Sequence, residues 1–148
     1  MAKTLPRHQA RSRANVSPSA HGKETEESKL IFHDEVVHGL KPNRVKQFID
    51  RGLLVAKQVY RVIPARTFSR RLAKGEPLKV SEGDAIARLL RINEAASKSF
   101  GDAEFARKWL NLPNPALKDR IPIEMAETDA GAREVETILS RIAHGDYT

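Results

Sequence analysis

The sequence predicts an all-α fold: a flexible basic N-terminal tail, a bundle of short helices with helix-turn-helix spacing, and a small helical unit after it. Three observations carry this. From Ser28 onward apolar residues recur at three- and four-residue intervals, and no stretch alternates as a strand does. Glycine or proline stands at nearly every junction between those stretches. Charge is partitioned along the chain: residues 41–91 carry a net +9, whereas residues 92–148 carry −3. A chain of 148 residues divided in this way is expected to bind a polyanion with one part and something else with the other. Taken alone, the basic faces are equally those of ordinary solvated helices.

The elements follow in order. Residues 1–27 mix Ser, His, Arg, Pro, Gly and Glu without periodicity and read as a tail. Leu30, Ile31, Val36 and Val37 suggest a short helix ending near Gly39. Pro42 suits a first helical turn, and Val45, Phe48, Ile49 and Leu53 follow at helical spacing up to a stop at Gly52. A helix over about 55–62 turns Val55, Val59 and Val62 or Ile63 inward. Pro64 starts the next, with Phe68 and Leu72 inward, and Gly75 ends it. Ser81 with Asp84 has the spacing of a capping box for a long helix over 82–99, in which Ile86, Leu89, Leu90, Ile92 and Ala96 face the core. Asp102 can cap a helix bearing Phe105, Trp109 and Leu110, and Trp109 is expected to anchor the C-terminal core. The proline-rich LNLPNPALKDRIP must be a loop. Pro122 starts a turn of helix over Ile123 and Met125. Thr128 caps the last helix, striped by Ala132, Val135, Ile138, Leu139 and Ile142, and Gly145 closes it.

The segment 43–74 has the spacing that DNA-reading helix pairs require. A recognition helix exposes its N-terminal residues while its back packs on a scaffold. With Phe68 and Leu72 inward, Arg66, Thr67, Ser69, Arg70 and Lys74 are left to meet bases, since Arg can grip a guanine edge and Ser or Thr serves bases or phosphates. Arg71, with Arg61, Lys57 and Lys46, is expected to meet phosphates. The concentration of positive charge on this same segment favours DNA over a merely solvated face.

Nothing reads as a catalytic site. The absence of cysteine excludes disulfides and thiolate chemistry. His33 and His38 lie five apart with Asp34 and Glu35 between them, not at the four-residue spacing of a helical zinc pair. No phosphate-binding glycine loop and no nucleophile elbow occurs. No apolar run approaches a membrane span, and the basic start lacks the apolar core of a secretory signal. A cytoplasmic, non-enzymatic protein without cofactor or metal is expected.

From Phe100 to Gly145 the chain resembles the Xre/MbcA/ParS toxin-binding antitoxin domain. The resemblance rests on Phe100-Gly101, Arg107, Trp109-Leu110 and Pro113-Asn114-Pro115-Ala116-Leu117. It continues through Arg120, Pro122, Thr128, Gly131-Ala132, Val135, Leu139, Arg141-Ile142 and Gly145. Upstream, Ile63-Pro64, Arg66-Thr67 and Arg70-Arg71 look like the helix-turn-helix of Xre-type members. Where the family often has Gly-Gly, this chain has Lys118-Asp119, which implies a differently shaped loop.

The resemblance implies a type II antitoxin that neutralises a RES-domain toxin consuming NAD⁺ and represses its own operon together with that toxin. It places the C-terminal end at the toxin's active-site entrance, which by position means Arg141, His144, Asp146, Tyr147 and Thr148. An acidic tail suits a pocket built for a pyrophosphate. The expected organisation is a tail over 1–27, an Xre-like helix-turn-helix domain over 28–80 and a toxin-binding and oligomerisation domain over 81–148. The expected partners are the toxin, operator DNA and further copies of the chain, as homodimer and as hetero-oligomer with toxin, and no membrane. Two alternatives remain: a stand-alone helix-turn-helix regulator, and a protein-interaction module that binds no DNA.

Overall fold

The computed structural model describes Ile31 and residues 33–146, and these are helical with no strand among them. The proposed tail over 1–27, Leu30, Tyr147 and Thr148 lie outside the described residues. The helices are α1 (His33–Val37), α2 (Pro42–Asp50), α3 (Ala56–Val62), α4 (Ala65–Lys74), α5 (Val80–Phe100), α6 (Ala103–Leu110), α7 (Pro122–Met125) and α8 (Asp129–His144), with a 3₁₀ turn at Pro115–Leu117.

The long helix α5 is the spine. Its 21 residues extend about 30 Å at the usual helical rise, and it packs against α1, α3, α6 and α8. The sequence lays an apolar stripe along that length: Ile86, Leu89, Leu90, Ile92 and Ala96 are all buried. One hydrophobic core therefore runs from Leu40, Val45 and Phe48 through α5 to Val135 and Leu139. Each fully buried aliphatic side chain in it contributes about 1.5–3 kcal/mol. Val59, Ile63 and Phe68 are inward as the periodicity predicts, whereas Val55, Val62 and Leu72 are only half-buried and Val37 is exposed.

Helix starts and stops follow the capping residues with one change of register. Asp102 accepts from the Glu104 and Phe105 amides, and Thr128 accepts from the Gly131 amide. At α5 the helix begins at Val80, not at Glu82. Ser81 and Asp84 are inside it, and the cap is supplied by Glu82, whose carboxylate accepts from the Lys79 amide at 2.8 Å. Glu82 wins because it also reaches an arginine, described below. Gly131 is required by space: a Cβ there would lie 2.1 Å from the Met125 carbonyl oxygen, so the first turn of α8 lies directly against the end of α7.

The loop after α6 is ordered by its own side chains. Asn114 accepts from the Ala116 amide, and the Asn114 amide donates to the Arg120 carbonyl. Lys118 and Asp119 both take left-handed backbone, with φ of 56° and 58°. Both occupy the region that glycine enters without steric cost.

Candidate nucleic-acid and toxin-binding surfaces

The first surface is built on α3 and α4, which meet at Ile63 and Pro64. Pro64 sits at the N-cap of α4 with φ fixed near −49°, and Gly75 closes the helix in left-handed conformation. Phe68 is buried and packs 6.3 Å, centroid to centroid, from Tyr60 of α3. Its burial orients the rest of the helix. Arg66, Ser69, Arg70 and Lys74 are exposed and Thr67 is half-buried, so these five share the outward side of α4. Arg70 also reaches Glu76 at 2.7 Å.

Arg71 departs from expectation. Its residue is only 8% exposed, and its guanidinium donates to the carboxylate of Glu82. It belongs to the inner face with Phe68, three residues away, and ties α4 to the start of α5. The phosphate role expected of it is therefore corrected to a structural one. Burial pushes the Glu82 carboxyl up, but the hydrogen bonds from Arg71 and from the Lys79 amide, with their charges, overcome this and hold it below its ordinary value. The other cations expected to meet phosphates differ among themselves. Lys57 is exposed, Lys46 pairs with Asp50 at 2.5 Å, and Arg61 donates to Glu127 at 2.5 and 2.7 Å and to Glu124 at 3.3 Å.

The second surface is the C-terminal end of α8. Gly145 turns the chain out of the helix with φ of 73°, and the Asp146 amide donates back to the Arg141 carbonyl at 3.0 Å. The His144 ring bonds the Ser140 carbonyl at 2.7 Å. Arg141, His144 and Asp146 are all exposed at this one end. Tyr147 and Thr148, expected to complete the set, fall beyond the described residues. The helix reaches this point because Ala132, Val135 and Leu139 are buried against α5, and the Ser99 hydroxyl donates to the Leu139 carbonyl.

The sequence reading missed two features. One is a buried amide pair between α3 and α5: Asn93 donates to Gln58 at 2.9 Å and to the Leu89 carbonyl at 2.8 Å, while Gln58 also accepts from the Val55 amide. Neither residue belongs to an apolar stripe, so periodicity gave no signal. The other is the orientation of α6. Ala106 and Leu110 are its buried residues; Trp109 is half-buried and Phe105 is exposed. Trp109 is thus partly buried and packs against the core, less deeply than the expected anchor. It lies at the surface margin beside Phe100, ring centroids 5.5 Å apart.

Together these elements make the described residues an all-helical molecule, with an outward basic helix near one end of a spine and an acidic helical unit near the other. A family model described as the antitoxin Xre/MbcA/ParS C-terminal toxin-binding domain matches residues 95–145. The chain is 31% identical over 118 residues to Antitoxin Xre of Pseudomonas putida, spanning 80% of this chain and 74% of that protein. It is 34% identical over 87 residues to Antitoxin Xre of Yersinia enterocolitica, and 33% over 84 to that of Photorhabdus laumondii. These two matches span 58% and 56% of this chain, and 59% and 57% of those relatives. The chain belongs to the Xre/MbcA/ParS antitoxin family. Its role is that of an antitoxin, and its partner is a toxin. Among the described residues, no helix is long and apolar enough to cross a membrane.

Proposed function

We propose that this antitoxin neutralises a RES-domain toxin that degrades NAD⁺, and represses its own operon through α4. The division of labour is residues 28–80 for operator DNA and residues 81–148 for the toxin, with the protein acting in the cytoplasm as a homodimer and in toxin–antitoxin hetero-oligomers. The observation that carries the DNA half is the single outward side of α4, where Arg66, Ser69, Arg70 and Lys74 stand exposed on a helix fixed by Phe68 and by Arg71–Glu82. A rigid helix with arginines near its N-terminus suits base-edge reading in a major groove. The toxin half rests on the match over residues 95–145 and on the exposed cluster Arg141, His144 and Asp146 where α8 ends.

Asp146 is exposed beyond the helix stop at Gly145, so removing the last three residues is expected to leave the fold alone. The test is deletion of Asp146–Thr148 in cells that co-express the product of the neighbouring toxin gene. If the tail occupies the toxin's active-site entrance, the shortened chain still associates with the toxin but inhibits it poorly. Cellular NAD⁺ then falls and growth stops. Full neutralisation by the shortened chain would place inhibition on the helical surface. A toxin that leaves NAD⁺ intact would remove the RES assignment.

A further inference from the structure

Helix α6 has two apolar faces, and the fold covers one fully and the other in part. Ala106 and Leu110 face the core. Phe105 and Trp109, four residues apart, share a second side of the helix, and Leu112 lies two residues past its end. Phe105 is 54% exposed and Leu112 59%, and they are the exposed large hydrophobic residues of the described 95–145 region. Phe100, the last residue of α5, completes the group. Its ring stands edge-on to Phe105 with centroids 5.0 Å apart and 5.5 Å from Trp109. Scattered exposed leucines need no explanation, but adjoining aromatic rings at a surface mark an interaction site. Rings that already hold one another lose little freedom when a partner covers them.

We propose that this aromatic ledge is the toxin's docking seat, separate from the end of α8; the proposal rests on the toxin-binding half of the reading above. The ledge lies wholly within the matched toxin-binding domain. Its charge indicates what it fits. Residues 103–120 carry Arg107, Lys108, Lys118 and Arg120 against Glu104 and Asp119, whereas residues 121–145 carry five acids against Arg133 and Arg141. The ledge therefore occupies the basic stretch of an acidic unit. Lys108 follows Phe105 by three residues on α6 and pairs with Glu104 at 3.1 Å. The complementary toxin surface is an apolar pocket bordered by carboxylates. Docking here supplies affinity, and the end of α8 supplies inhibition.

The experiment titrates the purified toxin of the same operon with the full chain and with Phe105→Ser, Leu112→Ser and the chain lacking Asp146–Thr148. Because both ledge residues are exposed, circular dichroism should show unchanged helicity. Each ledge variant should bind the toxin roughly tenfold or more weakly, as anchor residues do. Tail deletion should leave binding near wild type. Both ledge variants binding as wild type would overturn the proposal. So would a change in the antitoxin's own oligomeric state with toxin affinity intact, since the ledge would then join two copies of this chain. A toxin that binds through the ledge yet spares NAD⁺ removes the reaction assigned above and leaves the ledge standing. A wild-type chain that fails to bind that toxin removes both.

Discussion

Arg66 and Arg71 lie five residues apart on one helix and have opposite fates. Arg66 points to solvent, while Arg71 lies beneath the helix against Glu82. The difference is angular: Arg71 falls three residues after Phe68, on the side that packs, and an arginine there must find a carboxylate because an unpaired buried charge is costly. Their substitutions should therefore separate cleanly. Arg66→Ala or Arg70→Ala should weaken operator binding by about 1–3 kcal/mol if the residue contacts a base, with thermal stability unchanged. Arg71→Ala should instead lower stability by about 1–3 kcal/mol, because Glu82 loses its charged partner. Paired salt titrations of operator binding and thermal melts measure both. Wild-type operator affinity in Arg66→Ala and Arg70→Ala alike would remove α4 as the reading helix.

Among the elements, the loop between the 3₁₀ turn and α7 holds the least favourable backbone. A β-carbon in the left-handed region costs about 1–2 kcal/mol relative to glycine, and Lys118 and Asp119 both sit there. Asp tolerates the region better than Lys, whose side chain offers no local hydrogen bond in return. Lys118→Gly should therefore raise stability by up to about 1 kcal/mol, the gain in the folded state being offset in part by a freer unfolded chain. A higher denaturation midpoint at unchanged slope is the expected result, and a lower one would show that Lys118 makes compensating contacts. Helix α6 teaches a related lesson. Its sequence, AEFARKWL, offers two apolar sides, and the larger residues suggest that the side with Phe105 and Trp109 goes inward. Close approach of α6 to the spine favours small Ala106 and slim Leu110 instead, both of which are fully buried.

At the scale of the whole molecule, the two ends are joined by polar groups as well as by the core. Asn93 and Gln58 bond each other in the interior, and Arg61 of α3 reaches Glu124 of α7 and Glu127 just past its end. Arg88 adds a bond to the Glu127 carbonyl at 3.0 Å. The exposed ion pairs contribute little each. The buried amides matter more, because removing one strands the other. Asn93→Ala should cost about 1–3 kcal/mol. Replacing both with leucine should cost less than the two single changes together, a non-additivity that a double-mutant cycle in denaturant reads directly. Strict additivity would mean that the amides act independently.

The sequence by itself determined the helical class, most helix ends and the family, because these are local matters. Periodicity, Asp102 and Thr128 as caps, glycine stops and an ordered run of motif residues all act within a few positions of themselves. It also settled that Ile86, Leu89, Leu90, Ile92 and Ala96 are core, since a long amphipathic stripe has one place to go. Only the tertiary structure decided which of two acceptable faces α6 buries, that Arg71 works inward while Arg66 stays free of the core, and that Glu82 rather than Ser81 sets the start of α5. It alone paired Gln58 with Asn93 across 35 positions. These outcomes depend on what arrives from far along the chain, and a local pattern holds no record of its distant neighbour.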